Sequence, residues 1–84
     1  MKKLLFILTI LFTQIIVAQS FEENKRLAEQ GNADAQNNLG RCYATGQGTL
    51  KDPKKAAYWC KKAYENGYEW AKTLWEENEL WKYE

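Results

Sequence analysis

The chain has 84 residues, a formal net charge of +1, no histidine, one proline and two cysteines, which bounds it to one small domain. A charge this balanced lacks the excess of lysine and arginine from which nucleic-acid affinity largely derives, so nucleic acid is not an expected partner. A core this small usually needs a disulfide, a metal or an associated chain to hold it.

The first element is MKKLLFILTILFTQIIVAQS. Lys2 and Lys3 precede an apolar stretch from Leu4 to Val17, and Ala18 is a small residue where a signal peptidase could cut. The stretch is shorter than the ~20 apolar residues that span a bilayer. Residues 1–18 therefore read as a secretory signal in preference to a retained anchor, and residues 19–84 as a helical domain that is periplasmic or secreted after cleavage near Ala18. No cysteine follows the cleavage region, so no bacterial lipid anchor is indicated. Losing Lys2 and Lys3 with the signal leaves ten basic and eleven acidic residues.

FEENKRLAEQG then reads as a short helix carrying Phe21, Leu27 and Ala28, with Gly31 free to take the left-handed turn that ends it. Asn32 caps a second helix whose stripe is Ala35, Leu39 and Cys42, with Tyr43 beside it. Gly46 stops that helix, Gly48 allows another backbone turn, and Asp52-Pro53 starts a third with an N-cap side chain followed by proline at its first position. The third helix runs to Gly67 on a stripe of Ala56, Cys60 and Ala63, with Trp59 and Tyr64 alongside. A fourth, from about Glu69 to Trp81, places Trp70, Leu74 and Trp81 on one face with Ala71 and Trp75 next to them. No alternating strand pattern appears after the signal. The domain is expected to be all-α, with short connections making successive helices antiparallel neighbours.

A shift of 36 residues lays Lys25 on Lys61, Glu29 on Glu65, Gly31 on Gly67 and Ala35 on Ala71. The period is that of stacked helical pairs. One whole pair would then stand between two half repeats. Gly40 costs about 1 kcal/mol inside a helix relative to alanine, which is sensible where a neighbouring helix must approach closely.

AEQGNADAQNNLGRCYATGQGTLKDPKKAAYWCKKAYENG resembles one complete Sel-1-like repeat, a relative of the tetratricopeptide repeat. The residues that carry the likeness are Ala28, Gly31, Ala35-Gln36, Leu39-Gly40, Tyr43, Gly46, Gly48, Asp52, Lys55-Ala56, Trp59, Lys62-Ala63 and Gly67. Leu50 departs from the pattern by one position, and Trp75-Glu76 stands where a further repeat would have Leu-Gly, so the fourth helix resembles a terminal cap. The resemblance implies an α-solenoid of right-handed stacked hairpins and, most often, a scaffold or adaptor for other proteins. Some cysteine-rich secreted members carry disulfides within repeats and have been linked to penicillin binding or β-lactamase activity. Those members place their cysteines at the positions of Gln36 and Tyr64.

Cys42 and Cys60 lie on facing stripes of the hairpin, so an intrachain disulfide between them is expected in an exported chain. Catalysis is not. The only serine is Ser20, with Glu23 three positions on, and no Ser-x-x-Lys, Lys-Thr-Gly or Ser-His-Asp set can be assembled. Two cysteines without histidine make no zinc site of the usual ligand count, and no cofactor or small-molecule substrate is implied. Eight aromatic residues lie between Tyr58 and Tyr83, more than one neighbouring helix can hide. Trp70, Trp75, Trp81 and Tyr83 are accordingly the candidate surface for a protein partner or a second copy of the chain. The rival reading from another class is a degenerate member of the β-lactamase-like group.

Overall fold

The computed structural model describes residues 20–84, and every regular element among them is helical. The signal expected over residues 1–18 lies outside the described residues. Helix α1 covers residues 20–29, α2 is Ala33–Thr45, α3 is Pro53–Glu65 and α4 is Ala71–Glu77, followed by a single 3₁₀ turn, Leu80–Tyr83.

Local chemistry sets the helix ends. Asn32 is extended and its side chain accepts the Ala35 N–H at 2.9 Å, opening α2; Asp52 does the same for the Lys55 N–H at 3.2 Å, opening α3 with Pro53 in the first turn. Gly46 closes α2 at φ +79, where its N–H donates to the Cys42 carbonyl at 2.8 Å. The loop that follows is pinned back by a bond from the Asp52 N–H to the Tyr43 carbonyl at 2.8 Å.

The 36-residue repeat is visible bond by bond. At the end of α1, Gly31 N–H donates to Ala28 and Asn32 N–H to Leu27; at the end of α3, Gly67 N–H donates to Tyr64 and Tyr68 N–H to Ala63, with φ +98 at Gly31 and +96 at Gly67. The same sequence pattern has produced the same turn twice.

Helices α2 and α3 form an antiparallel hairpin around Leu39, Tyr43, Ala56, Cys60 and Ala63, all buried. The two helices come close at Gly40: a Cβ there would lie 3.3 Å from the Cys60 nitrogen and 3.4 Å from the Ala56 carbonyl oxygen. Helix α1 lies antiparallel to α2, with Phe21 edge-on to Tyr43 at one end (ring centroids 5.6 Å apart) and Ala28 beside Gln36 at the other. On the opposite side, α4 packs on α3 and touches α2 where Leu74 meets Gly40.

Two buried polar residues were not expected in the core. Gln36 donates to the Ala28 carbonyl at 3.1 Å and accepts from the Asn66 side chain at 2.8 Å, so one amide joins the ends of three successive helices. Asn37 is equally buried, and its Oδ1 has no partner among the described residues.

The fourth helix is shorter than its periodicity suggests. Tyr68 stands 36 residues after the N-cap Asn32 but lacks the short side-chain acceptor of a cap, and α4 opens through three-residue turns at Tyr68, Glu69 and Trp70 without a side-chain cap. At its other end, the Asn78 side chain donates to the Leu74 carbonyl at 3.0 Å and Glu79 adopts φ +51. The turn drives Leu80, not Trp81, back onto α3, where it is almost fully buried. Trp59 is half-buried against the core as expected, whereas Tyr64 is exposed.

Candidate binding surface

The four aromatic residues expected on one face separate into two groups. Trp70 is 75% exposed and Trp75 is half-buried on or beside α4, while Trp81 and Tyr83, at 50% and 42% exposure, belong to the 3₁₀ turn beyond the left-handed break at Glu79. A continuous stripe would have required α4 to run unbroken to Trp81.

Around Trp75 the surface is concave. Cys60, Tyr64, Ala71 and Trp75 line a largely apolar cavity of about 280 Å³ whose lining also includes Lys61, Lys72 and Glu84. A second depression of about 360 Å³, lined by Trp70 and Tyr64, shares Tyr64 and Lys72 with it, so the aromatic rings near α4 form one surface around the Lys72 side chain. Lys61 donates to the Glu84 carboxylate at 2.9 Å, and that hydrogen bond holds the Lys61 pKa above its ordinary value. Tyr64 and Lys72 were absent from the candidate set. Tyr64 falls one helical turn after Cys60, so the i, i+4 spacing carried the signal.

The expected disulfide is absent. Both cysteines are free and buried. The Cys60 thiol donates to the Ala71 carbonyl at 3.0 Å and faces α4, whereas Cys42 lines a groove with Phe21 and Asn24 of α1. The level of Cys60 across the hairpin is Gly40, and Cys42 lies nearer the loop, on the other side of α2. Facing stripes brought the two residues into one hairpin without bringing their sulfurs together. Burial pushes the Cys60 thiol up to about 11 and shifts Cys42 in the same direction, so neither is an activated nucleophile at neutral pH.

Ser20 sits at the start of the described α1, beside Phe21, Asn24, Asn38, Arg41, Cys42 and Gln47. Among the described residues no cluster of three or more His, Cys, Asp or Glu side chains is arranged to hold a metal, and no helix is long and apolar enough to cross a membrane.

The motif residues do structural work throughout. Gly31, Gly46, Gly48 and Gly67 take positive φ, Asp52 caps, Gly40 admits α3, and Ala35, Leu39, Tyr43, Ala56 and Ala63 are buried. No curated protein and no solved structure matches the chain. The family model described as Sel1 repeat does, over residues 33–68, from the first residue of α2 to the residue after Gly67. The hairpin α2–α3 with its capped loop and closing glycine turn is thus the part of the chain that matches the Sel1 repeat.

Proposed function

We propose that this chain is an exported helical-repeat module that binds another protein and performs no chemistry of its own. Sel1 repeats are in general modules of protein interaction, and the observation that carries the reading here is the exposure of Trp70, Trp81 and Tyr83 on a domain that also has a largely apolar cavity at Trp75. Trp and Tyr are the residues that most often supply binding energy at interface centres. Leu80 is already buried in the turn that packs on α3, so Trp81 and Tyr83 can be given to a partner without opening the core. The export part of the proposal rests on Lys2, Lys3, the apolar run Leu4 to Val17 and Ala18.

The test is the double variant Trp81→Ser, Tyr83→Ser, with Trp70→Ser alongside. The variants are expected to keep their circular dichroism spectrum and lose association in affinity capture from the cell's own envelope extract. Unchanged capture by all of them would remove this surface from consideration. For the absence of chemistry, the purified protein is expected to leave nitrocefin unhydrolysed, and turnover abolished by Ser20→Ala would restore the serine as a nucleophile.

A further inference from the structure

A single left-handed residue separates α4 from the 3₁₀ turn. Ala71–Glu77 on one side and Leu80–Tyr83 on the other are helical, Asn78 ends the first, and Glu79 turns the chain at φ +51. It is the only non-glycine residue at positive φ among the described residues. That region disfavours any side chain with a Cβ, and the local sequence does not ask for it. The apolar spacing runs straight through the break from Leu74 to Trp81, and the 36-residue register lays Thr45, the last residue of α2, on Trp81. An unbroken helix is what this stretch encodes on its own.

The break is held by what lies beyond it. Leu80 is 1% exposed in a turn that packs on α3, and the Glu84 carboxylate accepts from Lys61 of α3 at 2.9 Å. Residues 80–84 thus form a short arm that folds back across Glu79 and is received by α3. Every copy of the chain presents the same α3, so the arm of one copy fits another copy as well as its own.

We propose that this arm, residues 80–84, is exchanged between two copies of the chain, with Glu79 as the hinge. In the closed chain the arm reaches its own α3 at the cost of a left-handed residue. In the exchanged pair Glu79 becomes helical, and Leu80 and Glu84 meet the same partners on the other copy. The contact is reciprocal, as a two-fold pair requires, and short hinges under strain are where such exchange begins. The receiving site names its occupant, because it is filled by this very sequence and a different protein would first have to displace Leu80. The inference does not rest on the binding of another protein through Trp70, Trp81 and Tyr83.

For the test, purified chains labelled with light and with heavy nitrogen are mixed, loosened in urea, returned to buffer at high concentration and separated by size exclusion. A zero-length carbodiimide then joins lysines to carboxylates already in contact, and mass spectrometry reads the products. In the dimer fraction the crosslink of Lys61 to Glu84 is expected between light and heavy chains, and in the monomer fraction only within one chain. Two substitutions at the exposed hinge push in opposite directions. Glu79→Gly removes the left-handed penalty and should lower the dimer association constant by about fivefold for each of the two hinges. Glu79→Ile, β-branched, makes the closed form harder to reach and should raise the dimer fraction. Both lose the pairing of Glu79 with Lys82, so the difference between them reads the backbone. A dimer whose Lys61 to Glu84 crosslinks all lie within single chains overturns the exchange. So do equal dimer fractions in the two variants, or no dimer from either the wild type or Glu79→Ile, and each of these results leaves the capture test of the Trp81→Ser, Tyr83→Ser variant standing.

Discussion

Gly40 is the position at which a single methyl group decides whether the hairpin closes. Both atoms that an added Cβ would meet, at 3.3 and 3.4 Å, are backbone of α3 and cannot rotate away. Gly40→Ala would gain about 1 kcal/mol of helix propensity and lose about 1–3 kcal/mol to overpacking; urea unfolding should therefore show a net loss of stability. Gln36 offers the opposite case, since its amide serves Ala28 and Asn66 together. Gln36→Ala should cost about 1–3 kcal/mol through the groups it leaves unpaired, and more than Asn37→Ala, whose Oδ1 has no partner to lose. The Cys60 thiol adds a pH dependence. Its folded-state pKa, about 11, is raised above the ordinary 9.0 by burial, so the folded state holds the proton more tightly than the unfolded chain. Its contribution is present in full below about pH 9 and should fall away between about pH 9 and 11, as thermal melts across that range will register. Thiol titration should find two free groups per denatured chain and slow reaction of both in the folded protein.

At the scale of the elements, the helix ends were legible because capping is local. Asn32, Asp52-Pro53, Gly31, Gly46 and Gly67 act through atoms within about four residues, and each ends or begins a helix where its chemistry says it should. The fourth helix was misread because its apolar period continues past the point where its backbone turns. Asn78 and Glu79 stop it by a side-chain bond and a left-handed residue, and Asn is a residue that tolerates helix ends. The core residue gained by that turn is Leu80. Leu80→Ala should destabilise the domain by about 2–5 kcal/mol, the usual cost of deleting a buried leucine side chain, whereas Trp81→Ser should change the melting temperature little because half of its ring already faces water. The contrast between two adjacent residues is measurable by thermal denaturation of the single variants.

For the whole molecule, one complete repeat is flanked by α1 on one side and by α4 with the 3₁₀ turn on the other. Gln36 links the first three helices and Leu80 closes the fourth layer on α3. Because each layer is tied to its neighbour, the described domain should unfold in one step. The four tryptophans all lie between Trp59 and Trp81, so their fluorescence reports the C-terminal half, whereas circular dichroism reports all the helices. Coincident urea transitions by the two probes are the expected result; an earlier fluorescence transition would mean that α4 and the 3₁₀ turn open by themselves.

By itself the sequence determined the helical class, the hairpin, the 36-residue repeat and the positions of the caps, because those depend on periodicity and on side chains that act on their own neighbourhood. It also pointed to Gly40, whose cost in an isolated helix signals a partner before the partner is seen. Only the tertiary structure decided which atoms face which across the layers. Stripes give a helix its buried side but not the rotation and axial level of the helix packed against it, and so Cys42 came to face α1 while Cys60 came to face α4. The same limit separated Trp75 from Trp81 and placed Tyr64 and Lys72 around one cavity, since a backbone turn at Glu79 and the docking of α4 on α3 are set by packing over residues far apart in the chain.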